Sequence, residues 1–174
     1  ITQIDQALAD ARVYAMRAKD YFDTGRQGDR YTYWFGTYDL TRWTTAKTHF
    51  VTMVTVLTSS PAITVICHDA GCSPGTYAFV YPLAHYGVYV CDAFWAAPAT
   101  GTDSKAGTLI HEFSHFTDIG NTTDHVYGQT LAHQLASGAL AGPPNNQSMT
   151  LAVANADNHE YFADDDRVLG EVLV

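Results

Sequence analysis

Basic residues and long apolar runs are scarce in this sequence of 174 residues. Nine lysines and arginines stand against eighteen acidic residues, so the formal net charge is −9. This charge repels phosphate backbones and excludes nucleic acid as an expected partner. No apolar run approaches the roughly 20 residues of a membrane helix, so no membrane span is expected. No signal peptide is visible at the start, which fits a processed secreted form as well as a cytosolic protein.

Cysteine is also rare, with three residues at Cys67, Cys72 and Cys91. An odd number allows at most one internal bridge and leaves one thiol over. Cys91 lies in an apolar, strand-like run, and Cys72 lies in a turn-rich stretch before another such run. A Cys72–Cys91 bridge across neighbouring strands is one prediction, and it would imply an oxidising compartment. Buried free thiols are the alternative, and the spacing alone does not choose between them.

Apolar periodicity predicts an α+β fold in a single domain that spans residues 1–174. The length suits one domain, and 47% hydrophobic residues suffice for a core. The fold is expected to be mostly helical with a small, mainly antiparallel sheet. The stretch 138–147, rich in glycine and proline, is interpreted as an internal loop. The predicted helices are 2–22, 38–58, 103–118, 127–137, 147–155 and 157–162, and the predicted strands are 62–67, 76–81 and 86–91.

Residues 111–115, which read His-Glu-Phe-Ser-His, carry the chemistry. Four residues make slightly more than one helical turn, so His111 and His115 project from one face and can share one metal ion. Imidazole nitrogen is a preferred ligand of zinc, and a zinc-held water loses its proton near neutral pH. Glu112 can take that proton as the water attacks a carbonyl and then pass it to the leaving amine.

This motif is specific because glutamate is rare in the chain, which has 3 glutamates and 8 histidines. Random placement would produce the pattern in about one of a hundred or more such sequences. The motif also lies in an apolar helical pattern, as the mechanism requires. Two surface histidines that pair with a carboxylate are the structural alternative.

A catalytic zinc site needs a third protein ligand besides the two histidines. The nearest candidates after the motif are Asp118, Asp124 and His125. Asp118 faces the same side of the predicted helix but lies one turn beyond His115. Asp124 follows a turn signal at 120–121, where the chain can double back to the metal, and it is therefore favoured.

The motif and its downstream residues together resemble the aspzincin metallopeptidases. The residues at 120–128 read Gly-Asn-Thr-Thr-Asp-His-Val-Tyr-Gly, which is similar to the family pattern GTxDxxYG that follows HExxH. The family includes deuterolysin, the fungal peptidyl-Lys metalloendopeptidases and secreted bacterial relatives, one of them an exotoxin. The resemblance covers most of the chain from about 31 to 163. Further stretches that resemble the peptidyl-Lys enzymes are 31–36, 91–95, 101–108 and 155–162.

The resemblance implies a zincin-like fold in which the His-Glu-x-x-His helix carries the active site. It implies one zinc ion per chain, held by His111, His115 and Asp124, with Glu112 as the general base. It also implies that Tyr127 lies near the metal and that its hydroxyl stabilises the oxyanion of the tetrahedral intermediate. A packed aromatic residue at a helix start is the alternative for Tyr127.

The resemblance further suggests that Asp157 and Glu160 line the pocket for the residue after the scissile bond. At positions i and i+3 of a helical turn, the two carboxylates share a face and would attract a lysine ammonium. A solvated acidic turn is the alternative for this pair. His159 lies between the two acids and could orient one of them.

The implied function is a secreted zinc endopeptidase that cuts protein or peptide substrates on the N-terminal side of lysine. Its own propeptide is a candidate inhibitor. An aspzincin of broader specificity that acts as a toxin is the second hypothesis. A non-catalytic, zinc-stabilised binding domain is the third, and Glu112 argues against it because a purely structural site needs no base.

Two departures from the family pattern affect these expectations. The family's glycine three residues before the aspartate ligand is Asn121 here, and Gly120 lies one place earlier. Asparagine tolerates a left-handed backbone better than most residues, so the turn can survive. Fungal members have four cysteines in two bridges. Cys67 therefore lacks its N-terminal partner here, whereas a Cys72–Cys91 bridge fits the remaining pattern.

Overall fold

In a computed structural model of the protein, helices precede and follow three short strands. The α+β class and the predominance of helix are therefore confirmed. The structure describes residues 2–59, 63–67, 69–140 and 145–165. The elements in chain order are α1 (Gln3–Asp23), α2 (Asp29–Phe35), α3 (Leu40–Thr58), β1 (Thr64–Cys67), β2 (Ala78–Val80), β3 (Gly87–Val90), α4 (Asp92–Ala96), α5 (Lys105–His115), α6 (Gln129–Ser137), α7 (Asn145–Ala152) and α8 (Ala156–Asp164).

The two long N-terminal helices form where apolar periodicity predicts them, and each begins at a capping side chain. The Thr2 hydroxyl accepts from the Asp5 N–H, and the Asp5 carboxylate accepts from the Thr2 N–H. Asp39 accepts from the Arg42 N–H at the start of α3. Such caps satisfy N–H groups that a helix start leaves without partners, and each contributes about 1 kcal/mol. The apolar faces of α1 and α3 then pack on each other.

The short helices α2 and α4 are not predicted by the sequence, because 7 and 5 residues are too few to show a helical period. Helix α2 nevertheless matters for the fold. Its buried Arg30 donates from Nε to the Phe162 carbonyl at 2.8 Å, so α2 supplies a hydrogen-bond donor to a carbonyl in the last turn of α8.

The predicted loop at 138–147 lies partly outside the described residues, which omit 141–144, and α7 begins within it.

The sheet has the strand order β1-β3-β2 and is mixed rather than mainly antiparallel. The hairpin of β2 and β3 is antiparallel, as predicted, with Phe79 opposite Tyr89. Strand β1 pairs in parallel with β3, with Val65 opposite Val88. The reason is topological: β3 inserts between β1 and β2, so the hairpin makes β2 antiparallel to β3, whereas β1 runs in the same direction as β3.

Helix α5 lies at the centre of the fold. All ten residues from Lys105 to Ser114 are buried, and the helix packs against α1 and α8. It ends at His115, earlier than the predicted stop at Gly120, because Phe116 adopts an extended conformation with ψ of 135°. Residues after 115 therefore form a loop that can turn back toward the helix.

A disulfide joins Cys72 to Cys91, with a Cα–Cα distance of 5.5 Å. It ties the turn before β2 to the residue after β3, so the hairpin is closed at both ends. Cys67 is exposed and has a free thiol.

Among the described residues, no helix combines the length and the apolar character needed to cross a membrane.

The partly buried His49 and the buried His159 connect α3 to α8. His159 Nδ1 donates to the Asn155 carbonyl at 3.0 Å, so its Nε2 must accept, and it does so from His49 Nδ1 at 2.9 Å. Burial lowers the pKa of His49 to about 4 and that of His159 to about 3. Both rings are therefore neutral at pH 7. This arrangement turns His159 away from the two acids that flank it in the sequence.

The histidine pair predicts a loss of stability in acid. Both folded-state pKa values lie below the ordinary value of 6.5, so only the unfolded chain takes up these protons as the pH falls below 6.5. Stability is complete above that pH and decreases toward pH 4, by up to about 1.4 kcal/mol per pH unit for each histidine. Urea unfolding of the wild type and His49→Gln between about pH 7 and pH 4 tests this. Identical pH dependence of the two proteins would contradict the prediction.

Candidate metal centre and active-site cleft

Helix α5 places the motif residues on the wall of a cleft. The Ser104 side chain caps the helix by accepting from the Gly107 N–H at 3.0 Å. The rings of His111 and His115 lie one turn apart, with their centroids separated by 4.9 Å. Glu112 is 4% exposed, and its Oε2 atom is buried without a hydrogen-bond partner among the described residues. Buried polar atoms are normally paired, so this oxygen is poised for a group that enters the cleft.

The loop after α5 brings Asp124 to both histidines. Asp124 Oδ1 lies 3.1 Å from His111 Nε2 and 3.4 Å from His115 Nε2. Asn121 adopts a φ of 47°, so the left-handed turn expected there is present. The Ser114 and Thr122 hydroxyls, 2.6 Å apart, hold the returning loop against α5.

The other two candidate ligands lie elsewhere. Because α5 ends at His115, Asp118 is off the helix, where it accepts from the Tyr86 hydroxyl. The His125 ring lies 3.1 Å from the Thr123 hydroxyl. Among the described residues, the metal-ligating cluster around the two motif histidines contains Asp124 and neither of these.

The second nitrogen of each motif imidazole is held by a protein acceptor. His111 Nδ1 donates to Asp157 Oδ1 at 2.7 Å, and His115 Nδ1 donates to the Thr122 carbonyl at 2.9 Å. Each bond places a proton on Nδ1, so Nε2, which faces Asp124, is the nitrogen that a metal ion would take in place of a proton. Outer hydrogen bonds of this kind orient the histidine ligands of zinc. Two imidazole nitrogens and one carboxylate oxygen therefore fit a zinc site that keeps an open position.

The two predicted pocket acids, both on α8, differ in their surroundings. Asp157 uses both oxygens: Oδ1 accepts from His111, and Oδ2 accepts from the Gly128 N–H at 2.5 Å. Glu160 Oε2 lies 3.7 Å from His111 Nδ1, beyond hydrogen-bond distance. Among the described residues, no hydrogen bond engages the Glu160 carboxylate. Only Glu160 therefore has its oxygens available to a ligand.

Gly107 makes room for Glu160. A Cβ at Gly107 would lie 2.6 Å from Glu160 Oε1, so any other residue would displace the carboxylate. Glycine inside a helix is less favourable than alanine by about 1 kcal/mol. Gly107 is at the position where the Glu160 carboxylate of α8 lies against the backbone of α5.

Burial dominates the electrostatics of the cleft. It raises the pKa of Glu112 and raises that of Glu160 well above the usual range, while the positive charge of His111 opposes both shifts. Burial also acts to raise the pKa of Asp124, but hydrogen bonds from His111 and His115 outweigh it and hold this pKa far below its ordinary value. A cation bound here would offset several closely spaced carboxylates.

Tyr127 stands at the mouth of the cleft and is 63% exposed. Its ring is nearly parallel to that of His111, at an interplanar angle of 11° and a centroid distance of 6.3 Å. Burial and a hydrogen bond to Asp124 raise the pKa of the phenol. The hydroxyl therefore keeps its proton at neutral pH and can donate it in a hydrogen bond.

Asn155 is a positioning residue that sequence reasoning did not single out. Its Oδ1 accepts from the His125 and Val126 N–H groups at 2.9 and 3.1 Å, and its Nδ2 donates to Asn158 Oδ1 at 2.8 Å. These bonds fix the loop between Asp124 and Tyr127 to the start of α8. The only signal in the sequence was that Asn155 opens one of the stretches resembling the peptidyl-Lys enzymes.

The cleft that contains these groups has a volume of about 580 Å³. One wall is formed by residues 75–80, which include β2. The opposite wall is formed by α5, α8 and the loop at 124–128. The motif residues, Asp124, Tyr127 and both α8 acids thus face one continuous space.

Comparison with known proteins decides the family. The family model described as lysine-specific metallo-endopeptidase, aspzincin, matches residues 21–164. The chain belongs to the aspzincin family. As a member, it is a zinc metalloendopeptidase, and the resemblance drawn from its motifs is confirmed.

Relatives of this aspzincin include fungal and bacterial proteins. A peptidyl-Lys metalloendopeptidase from Pleurotus ostreatus is 43% identical over 169 residues, which cover 97% of this chain and 93% of the relative. An extracellular protease from Aeromonas hydrophila is 46% identical over 159 residues, which cover 91% of this chain but 42% of the relative. The chain therefore spans less than half the length of that bacterial protein.

A solved structure shares the fold of this aspzincin. It is a zinc peptidase from Grifola frondosa that is 41% identical, with a TM-score of 0.82. The alignment covers 95% of this chain and 94% of that structure. The arrangement of helices around a small sheet is thus the arrangement of a zinc peptidase.

Proposed function

We propose that this aspzincin is an endopeptidase that cleaves peptide bonds on the N-terminal side of lysine. One observation carries the proposal: the His111, His115 and Asp124 ligand atoms converge beside Glu112, and Glu160 lies in the wall of the same cleft. The name of the Pleurotus relative, a peptidyl-Lys metalloendopeptidase, supports the lysine preference.

Secretion is the second part of the proposal. The Aeromonas relative is named an extracellular protease. The Cys72–Cys91 disulfide supports an oxidising compartment, because such bonds are rare in the cytosol. A propeptide that acts as an inhibitor remains a prediction.

The proposed metal centre is one zinc ion held by His111, His115 and Asp124. When bound, zinc lowers the pKa of a water ligand to about 7 and polarises a carbonyl oxygen. The protein fixes the geometry in advance, since Asp157 and the Thr122 carbonyl hold the two Nδ1–H groups. Little reorganisation of the ligands is then needed.

Glu112 is the proposed general base. It follows His111 directly on α5, so it faces the cleft without being one of the ligands. Its Oε2, buried and without a partner in the described part of the chain, accepts a proton from the attacking water as the new C–O bond forms. The same carboxyl then delivers that proton to the leaving nitrogen as the C–N bond breaks. No covalent enzyme intermediate is required.

Tyr127 is proposed to stabilise the oxyanion. Its hydroxyl lies beside Asp124 and keeps its proton at neutral pH, so it can donate to negative charge that develops on the carbonyl oxygen. One such donor contributes about 3–4 kcal/mol to transition-state stabilisation. Its 63% exposure leaves the ring room to adjust to a bound peptide.

Asp157 and Glu160 form the proposed pocket for the lysine side chain, which we call the acidic pocket, and the two residues have different tasks. Glu160, buried and free of hydrogen bonds from the described residues, would receive the lysine ammonium. Asp157 would add negative charge but chiefly orient His111 and Gly128, which occupy its two oxygens. Broader specificity is the second candidate function, because only one of the two acids is free to bind a cation.

A protein digest with peptide termini identified by mass spectrometry tests the proposed function. An unfolded, lysine-rich protein is incubated with the zinc-loaded enzyme, with and without a zinc chelator. We expect new N-termini that begin with lysine, and we expect the chelator to abolish them. Chelator-sensitive cleavage at other residues would retain the catalytic proposal and reject the acidic pocket. Absence of cleavage by zinc-loaded protein would favour a non-catalytic binding domain.

A further inference from the structure

One edge of strand β2 is open toward the cleft. The Tyr77 carbonyl accepts from the Cys91 N–H at 2.8 Å, so the pair of these two residues is hydrogen-bonded. Hydrogen-bonded pairs alternate along an antiparallel ladder, and Phe79 opposite Tyr89 is therefore the next one. The backbone groups of Ala78, between them, consequently point away from β3. Among the described residues, no strand pairs with β2 on that side.

This open edge runs along the proposed catalytic residues. Residues 75–80 line the cleft together with His111 and Glu112. An extended peptide can add to such an edge through main-chain hydrogen bonds, while its side chains alternate between the two faces. The direction of each peptide side chain is then set by the two faces of the sheet.

The inner face of β2 points toward the acidic pocket. Ala78 is 8% exposed, and Val80 packs against the core that contains α5. Glu160 reaches the cleft from the same side, where it lies against Gly107 of α5. A peptide side chain that enters the acidic pocket must therefore point to this inner side.

The outer face of the hairpin carries four aromatic rings, Tyr77, Phe79, Tyr81 and Tyr89, which we call the aromatic surface. Phe79 and Tyr89 stack with centroids 4.8 Å apart at an interplanar angle of 8°, and Tyr81 lies edge-on to both. Tyr77 is 38% exposed and Tyr81 is 54% exposed. Tyr77 and Phe79 also line the cleft, so the aromatic surface is continuous with the catalytic site.

We propose that the aromatic surface is a subsite for the two substrate residues that flank the one held in the acidic pocket. The inference rests on the proposed function, because that function places one side chain on the inner side of the extended peptide. Strand alternation then places the preceding and the following side chain on the outer side, against Tyr77, Phe79 and Tyr81. Aromatic and long aliphatic side chains fit this surface, because they bury apolar area and stack on rings.

Peptides that vary only at the flanking positions test this subsite. Three quenched fluorescent peptides carry lysine after the scissile bond. The first has phenylalanine on both sides of that lysine, the second has threonine there, and the third has phenylalanine one position further out. Threonine serves as the reference because it also favours extended structure. The kcat/KM of each peptide is measured with zinc-loaded wild type and with the Phe79→Ser, Tyr81→Ser and Leu83→Ser proteins.

We expect the wild type to prefer phenylalanine over threonine at the flanking positions by about tenfold, the scale of an apolar pocket contact. This ratio should fall to about twofold or less in Phe79→Ser and should also decrease in Tyr81→Ser, where Tyr81 is 54% exposed and lies outside the buried core. Leu83, which is 82% exposed and outside the cleft lining, provides the matched control, and Leu83→Ser should keep the ratio. For the third peptide, which has phenylalanine one position further out, kcat/KM relative to the threonine peptide should not depend on Phe79.

Equal rates for the first two peptides, or a preference that survives both aromatic substitutions, would overturn the proposal. A parallel binding measurement separates this result from a failure of the proposed function. Fluorescence anisotropy of the labelled peptides with zinc-loaded Glu112→Gln protein reports affinity without cleavage. Preferential binding of the first peptide by that protein, lost on Phe79→Ser, supports the subsite even if the wild type cleaves none of the peptides.

Discussion

Replacing Glu112 by glutamine is expected to reduce kcat/KM by about 100- to 10,000-fold while bound zinc is retained. Glutamine has nearly the same shape but cannot take a proton from water. The ligand atoms belong to His111, His115 and Asp124, so the substitution leaves the proposed metal site intact. Cleavage of a quenched lysine peptide gives the rate, and elemental analysis of the purified protein gives the zinc content.

A matched control for this substitution is Asp118→Asn. It removes a similar charge close in sequence, but Asp118 lies off helix α5 and pairs with Tyr86 and His85. We expect its activity to equal that of the wild type. Near-normal proteolysis by Glu112→Gln would refute the role of this residue as the base. Loss of zinc together with activity would show that the glutamate acts on the metal site.

Substitutions of the two α8 acids are expected to have different consequences. Glu160→Gln should lower kcat/KM for a lysine peptide relative to a norleucine peptide by about 30- to 1,000-fold, since a buried charge pair of about 2–4 kcal/mol is lost. Its zinc affinity should stay unchanged. Asp157→Asn should weaken zinc binding by about 10- to 100-fold, because the hydrogen bond to His111 Nδ1 loses its charge.

Zinc affinity and substrate discrimination are therefore measured on the same two proteins, by competition with a chromogenic chelator and by paired peptide kinetics. Each variant serves as the control for the other, because both exchange a buried carboxylate of α8 for an amide. Equal losses for lysine and norleucine in Glu160→Gln would reject the ammonium site and favour broader specificity. Unchanged zinc affinity in Asp157→Asn would mean that His111 needs no charged partner.

The contrast between these acids also explains why the cleft needs its supporting residues. Gly107 leaves space for Glu160, and Asn155 fixes the loop that carries Asp124. Neither residue contacts a substrate in the proposed mechanism. Both help to place a functional carboxylate, and a misplacement of about 1 Å in such a group can slow catalysis about 100-fold.

Features that depend on short stretches of chain follow from the sequence alone. The spacing of His111 and His115 places both rings on one face wherever a helix forms, because the helical period is fixed. The left-handed turn at Asn121 follows from the tolerance of asparagine for positive φ. The long helices α1 and α3 likewise follow from apolar periodicity and from their capping residues.

Only the tertiary structure decides which distant residues meet. Asp124 rather than Asp118 faces the histidines because α5 ends at His115. The buried Phe116 leaves the helical conformation there, and no glycine or proline marks that stop in the sequence. The parallel pairing of β1 with β3 depends on which strand occupies the centre of the sheet. No local period encodes that order.

The same limit applies to the acids of α8. Their i and i+3 spacing predicts a shared face, but it does not show that His111 and Gly128 bind Asp157 while no described residue donates a hydrogen bond to Glu160. That difference arises from contacts across 46 and 29 residues of sequence. The sequence by itself determined the chemistry available on each helix. The packing of α5 against α8 decides which of these groups has a hydrogen-bond partner, because long-range contacts are set by the shape of the whole core.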